Sequence, residues 1–139
     1  RPGDASGKTI GVRQATTFED YLRRNLVLYG NPNAVTYLIQ DPKIRTFPDR
    51  DQVVKALVDR KVDAIVTSLA LAETDIKNGS PIRIVPGFLF FEPVAVAVDR
   101  GDPAFAKAVG DAVRALRADG TLTQLSEKWF GIDVAGIVP

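Results

Sequence analysis

The chain has 139 residues, a formal net charge of +1, and neither histidine nor cysteine. Lacking both residue types, it excludes Ser-His-Asp and Cys-His catalysis within its own length, and the usual zinc sites. Its 18 basic and 17 acidic residues are interspersed, so no basic face marks it for nucleic acid or an anionic membrane.

At this length the chain can bury one domain-sized core. No apolar run reaches the length of a membrane span and no signal peptide is present. Methionine is absent as well, which suggests a processed product or a fragment.

Arg1 to Gly7, RPGDASG, is polar and glycine-rich and reads as a linker. Gly3 to Thr9 imitates a phosphate-binding loop, but only three residues separate its glycines where the motif needs four. It also precedes a strand instead of following one. Lys8 to Leu22 reads as a strand, a tight turn and a helix. Ile10 and Val12 alternate around Gly11, and two hydroxyl–acid pairs, Thr16 with Glu19 and Thr17 with Asp20, signal the helix start. Phe18, Tyr21, Leu22 and Leu26 follow at helical spacing and form one buried face. Free N–H groups and two hydroxyls at that start suit a carboxylate or another small anion. The same residues suit an ordinary capped βα unit, the commoner case.

Gly30-Asn31-Pro32-Asn33 breaks the pattern. Residues 34–40 fit either a short helix or a strand, and Asp41-Pro42 turns the chain. Ile44 to Phe47 is a predicted strand. Asp49 with Gln52 caps a helix to about Arg60, with Val53, Ala56 and Leu57 facing inward. Asp63 to Ser68 is an apolar strand of the kind buried in a parallel sheet. Leu69 to Lys77 is a helix stopped by Asn78-Gly79, and Ile82 to Val85 is another strand. Three β-α steps in succession predict a parallel, doubly wound sheet of the α/β class.

Phe88-Leu89-Phe90-Phe91, set between prolines, makes a poor surface loop and reads as a buried connection. Val94 to Val98 is a predicted strand. Asp102-Pro103 opens a helix to Ala118 with Phe105, Val109, Ala112, Val113 and Leu116 on one face. Thr121 with Gln124 opens the last helix, striped by Leu122, Leu125, Trp129 and Phe130, and residues 131–139 read as loop.

The run GKTIGVRQATTFEDYLRRN, then VDAIVTSLA, then ADGTLTQLSEKWFG near the end together resemble the periplasmic solute-binding proteins of the polar amino-acid family. These are two-lobed receptors that feed ABC importers. The resemblance covers nearly the whole chain, in the family's order. It implies one lobe of the type II fold: a doubly wound, mostly parallel sheet flanked by helices, with a C-terminal strand and two helices. In those terms residues 1–7 are a linker and 8–87 the second lobe. Residues 88–93 are the hinge crossover, with Leu89, Phe90, Phe91, Glu92 and Pro93, and 94–139 return to a first lobe mostly absent from this chain. The stretch after the first helix looks like an insertion. The resemblance further implies a periplasmic or extracytoplasmic setting and a permease partner. The ligand would be a small polar amino acid or related carboxylate, with no cofactor, metal or catalytic residue.

Carried over residue by residue, the turn Arg13-Gln14-Ala15-Thr16-Thr17 would wrap the ligand's α-carboxylate. Thr16 and Thr17 match. Ala15 stands where the family usually has glycine, which limits close approach and access to φ > 0. Arg13 would face the ligand side chain and pair bidentately with an acidic group; by itself it reads equally as a solvated strand-end charge. The second site is the strand end Thr67-Ser68, where the family usually places aspartate for the ligand's ammonium. Ser68 supplies no charge there, and it also reads as a plain helix cap. The apolar stripe of residues 94–130 should fold back, swap between chains or form a homodimer. Two rival readings share the fold: the sensing domain of a receptor or kinase, and a dehydratase-like enzyme using Glu73, Asp75 or Glu92 as acid or base.

Overall fold

The computed structural model describes residues 1–28, 35–92 and 94–135. The chain divides into two compact units, Arg1–Phe91 and Glu92–Pro139.

The first unit is built on a three-stranded parallel sheet in the order β2-β1-β3, with β1 (Thr9–Arg13) in the middle, β2 (Lys43–Phe47) on one side and β3 (Ala64–Ile65) on the other. β1 pairs with β2 from Thr9↔Lys43 to Arg13↔Phe47, and with β3 at Ile10↔Ala64 and Gly11↔Ile65. A central parallel strand is covered on both faces, which is why β1 carries apolar residues and a glycine and no charge before Arg13. Ile10 and Val12 have no exposed surface; with Tyr21, Leu22, Leu26 and Ile39 they form the core. Gly11 faces the other way. A Cβ there would lie 3.2 Å from the Cγ2 atoms of Val62 and Ile65, so the glycine allows that face to close.

The crossover from β1 to β2 carries α1 (Thr17–Leu22), and the return across β1 to β3 carries α2 (Arg50–Val58). Right-handed crossovers in opposite directions put these helices on opposite faces. The packing agrees, since α1 supplies Tyr21 and Leu22 to the Ile10 and Val12 face. α3 (Leu69–Lys77) is tied to the start of α2 by one side chain: Arg50 Nη2 donates to Leu71 O at 3.0 Å and pairs with Asp75.

Several elements differ from the sequence expectation, each for a physical reason. Residues 1–7 are ordered where their polar, glycine-rich composition suggested irregular chain: Pro2–Ala5 forms a 3-10 helix, and Gly7 N and Gln40 N donate to Gln40 O (2.9 Å) and Ser6 Oγ (2.9 Å). α1 stops at Leu22 because Arg24 takes a left-handed φ of 61°, although Leu26 stays in the core. Residues 35–40 are neither helix nor strand. They are held by the buried Tyr21, whose hydroxyl donates to Thr36 O (3.2 Å) and accepts from Leu38 N (2.8 Å). The Gly30-Asn33 break lies outside the described residues. β3 is shorter than the apolar run Asp63 to Ser68, because past Ile65 only Val66 N reaches Gly11 O, at 3.1 Å. Ile82–Val85 and Val94–Val98 form no strand. A strand exists only by pairing, and among the described residues none lies beside them; Val94 is 94% exposed.

The second unit contains α4 (Pro103–Ala118) and α5 (Thr121–Phe130), packed on each other. The two helices expected at the C-terminal end therefore form, and the strand expected before them does not. Asp102 caps α4 by accepting from Phe105 N at 2.9 Å, with Pro103 in the first turn. α5 is capped by Gly120 at φ 81°, so Thr121 is its first residue and not its cap. After α5 the chain returns along it: buried Ser126 donates to Ile132 O (2.9 Å) and accepts from Val134 N (2.7 Å). No residue of α4 is buried.

Two outcomes follow from this packing. Gly11→Val forces a methyl pair against Val62 and Ile65 and should lower stability by about 1–3 kcal/mol, read as a reduced urea midpoint at unchanged m. Tyr21→Phe leaves Leu38 N–H and Thr36 C=O without their partner and should cost about 1–3 kcal/mol by the same measurement.

Candidate ligand site at the strand ends

β1 and β3 run parallel and side by side, so their carboxyl ends open on the same edge of the sheet. Two residues past the last pair, Gly11↔Ile65, stand Arg13 on one strand and Thr67 beyond the other. The chain leaves β1 toward α1 on one face and, after β3, enters α3, which Arg50 ties to the start of α2. That reversal is the topological switch point where doubly wound sheets hold ligands. The two stretches singled out in the sequence, 13–17 and 67–68, thus come to the same edge.

The β1 turn is tightly knit. Gln14 N donates to Phe47 O at 2.9 Å, extending the ladder to β2. Ala15 adopts φ 56°, the left-handed region its side chain was expected to restrict. The turn reaches that conformation because a side chain captures its N–H: Ala15 N donates to Glu19 Oε2 at 2.8 Å, while Arg23 Nε donates to Glu19 Oε1 at 2.8 Å. Thr16 caps α1, accepting from Glu19 N (3.4 Å) and donating to Arg13 O (2.7 Å). The expected cap is therefore used, with one change: Glu19 bonds the N–H of Ala15 where a capping box would bond that of the cap residue. Bonding to Arg23, and next to the Ala15 N–H, holds the Glu19 carboxyl below its ordinary value of 4.5.

These bonds sort the candidates. The N–H of Gln14 is engaged by β2, and the N–H of Ala15 and the hydroxyl of Thr16 are engaged within the turn and the first turn of α1. Thr17 is the first residue of α1 and half-buried. Arg13 is exposed and makes no ion pair among the described residues. Thr67 and Ser68 are half-buried between β3 and α3. Ser68 occupies the cap position of α3, yet its side chain makes no capping bond.

The other residues fall elsewhere. Leu89 and Phe90 pack on the first unit's core, with Phe90 stacked on Tyr21 at 5.3 Å and tilted against Phe18 at 5.9 Å. Phe91 lies 5.0 Å from Phe88, ring to ring, and ends that unit, whereas Glu92 begins the second and Pro93 lies outside the described residues. Asp75 is committed to Arg50, and Glu73 sits half-buried on α3. Among the described residues no group of His, Cys, Asp and Glu could hold a metal ion, and no helix is long and apolar enough to cross a membrane. Sequence reading missed the Ala15–Glu19–Arg23 bridge, although the i,i+4 spacing of Glu19 and Arg23 signalled half of it. Nothing local signalled the pairing of Arg50 with Asp75.

Comparison with known proteins adds the family. The L-cystine-binding protein of Escherichia coli K12 is 33% identical over 132 residues, covering 94% of this chain and 45% of that protein. A probable amino-acid-binding protein of Bacillus subtilis is 32% identical over 112 residues, 76% of this chain and 42% of its own length. An ancestral arginine-binding protein solved with arginine superposes with a TM-score of 0.61 at 26% identity, covering 93% of this chain and 53% of that one. The chain thus spans about half the length of these relatives. Residues 23–132 match the family model of the bacterial extracellular solute-binding proteins, family 3, and the chain belongs to that family.

Proposed function

We propose that the chain is the extracytoplasmic solute-binding component of an ABC importer. It takes a small polar amino acid or a related carboxylate at the carboxyl ends of β1 and β3. The observation that carries the reading is the parallel pairing of β1 with β3, which sets residues 13–17 beside 67–68 at a switch point. Three features support it. Arg13 is an exposed cation without an ion pair among the described residues; Thr17 lies at the start of α1; Ser68 has a hydroxyl that does not cap its helix. Its relatives bind cystine and arginine, according to their names.

Because the relatives are about twice as long, we assign the opposite wall of the cleft to the remaining half of the fold they carry. Closure of two lobes over the solute then shifts an open–closed equilibrium by differential contacts. The residues described here supply one wall, so this chain alone binds weakly, with a dissociation constant of roughly millimolar or above.

The test is a titration of the nitrogen-15-labelled chain with L-arginine, L-histidine and succinate, followed by amide NMR. Shifts confined to residues 13–17 and 66–69 support the reading, and uniform or absent shifts with all three overturn it. Within a binding chain, Ser68→Asp should strengthen L-arginine binding by roughly tenfold or more, since a charged acceptor replaces a neutral one. Arg13→Gln should weaken succinate binding and spare L-arginine.

Acid tests the turn. A carboxyl whose folded pKa lies below its unfolded one stabilises the fold above the unfolded value, and that contribution fades as pH falls through the folded value. Glu19 should therefore contribute fully above pH 4.5 and progressively less below it. Asp59, Asp111 and Asp119 are lowered too, by bonds to Lys55 and Lys61, to Lys107 and Arg114, and to Thr121 respectively. Comparison with Glu19→Gln isolates the turn: the variant should be less stable than the parent at neutral pH, the difference narrowing as pH falls below 4.5.

A further inference from the structure

We propose that Arg50 and Asp75 are positioning residues for the ligand site, holding Ser68 in place by docking α3 onto α2. The inference deepens the binding reading above and rests on it.

Ser68 needs such a device because the sheet lets go of the chain before reaching it. β3 is paired only at Ala64 and Ile65, and the last ladder bond beyond them is Val66 N to Gly11 O. Thr67 and Ser68 are held from the far side, through α3, whose first turn closes as Ala72 N donates to Ser68 O at 3.1 Å. Apolar packing does little to fix that helix. Leu71 and Ile76 are 40% and 39% exposed, and its single buried residue is Asp75.

What reaches across is the guanidinium of Arg50. One nitrogen, Nη2, donates both to Leu71 O, at 3.0 Å, and to the Asp75 carboxylate, so a single group grips two successive turns of α3. Leu71 is three residues from Ser68. Arg50 is itself well placed, opening α2 directly after Asp49, which caps the helix through Gln52 N at 2.9 Å. It follows Phe47, the residue that pairs with Arg13 and accepts from Gln14 N. The path from Phe47 through Arg50 to Leu71 therefore ties the β1 half of the site to the β3 half.

Among the described residues the contact has no substitute: Asp75 Oδ2 and Arg50 Nε are buried there without hydrogen-bond partners, and Asp51, the other carboxylate paired with Arg50, is 4.0 Å from Nη1 and fully in solvent. Removing either charge strands the other in a mostly buried place.

Amide hydrogen exchange of the full chain, with no ligand, tests the clamp in Arg50→Gln and in the isosteric Asp75→Asn. Selective loss of protection in α3, at Ala72 and Asn78, is expected by roughly tenfold or more, the change that about 1.4 kcal/mol produces. Protection of Gln14 and Asp63, bonded within the sheet region, should hold, and the Thr67 and Ser68 amide signals should move. The exchanged pair Arg50→Asp with Asp75→Arg should recover α3 protection in part. Unchanged α3 protection, or a loss equal to that of the sheet, overturns the proposal. Because this measurement involves no ligand, its failure removes the clamp and leaves the binding reading standing. Failure of the titration above removes the binding reading and leaves the clamp.

Discussion

The structure of the first unit depends on β1 being paired on both edges and covered on both faces. Ile10 and Val12 are wholly removed from water, each worth about 1.5–3 kcal/mol against the exposed state. Gly11 between them has no side chain to hold Val62 and Ile65 away. With that strand fixed, β2 and β3 have one parallel register each, and α1 and α2 are assigned to opposite faces. The placement of the 13–17 turn beside Thr67 and Ser68 is then a consequence of strand pairing, requiring no contact between the two segments.

The turn after β1 shows how a conformation can be imposed without the residue that ordinarily permits it. Ala15 is left-handed at a cost of about 1–2 kcal/mol, which glycine would avoid. The charge-assisted bond from its N–H to Glu19, itself fixed by Arg23, offsets that strain. The same bonds change which groups remain to meet a ligand. Gln14 and Ala15 spend their N–H groups on the protein, and Thr16 spends its hydroxyl on Arg13 O, so the turn is more a scaffold than an open cradle.

What could be read in advance was whatever depends on neighbours in sequence. The caps at Thr16, Asp49 and Asp102, the apolar alternation of β1 and the boundaries of α3 all rest on residues within a turn of each other, and the structure uses them. The parallel sheet followed from the βα rhythm. The strands expected at Ile82–Val85 and Val94–Val98 show the limit, since apolar β-branched residues state a preference that only a partner strand can realise. The tether from Tyr21 to Thr36 and Leu38 escaped for a related reason, because the hydroxyl of a core aromatic gives no periodic signal. At the site, the strand ends were legible, whereas the positive φ of Ala15 ran against its own propensity. The grip of Arg50 on Asp75 joins residues 25 apart, with no pattern between them.

The two edges of the sheet bear on how the chain behaves in a crowd of its own copies. β2 forms one edge and carries Lys43 and Arg45 exposed, with the Arg45 guanidinium lying 5.5 Å from the centre of the Phe47 ring. β3 forms the other and is only two residues long. Charged side chains on one edge and brevity on the other are the means by which proteins refuse an incoming strand. Among the described residues the sheet is thus a poor template for edge-to-edge growth.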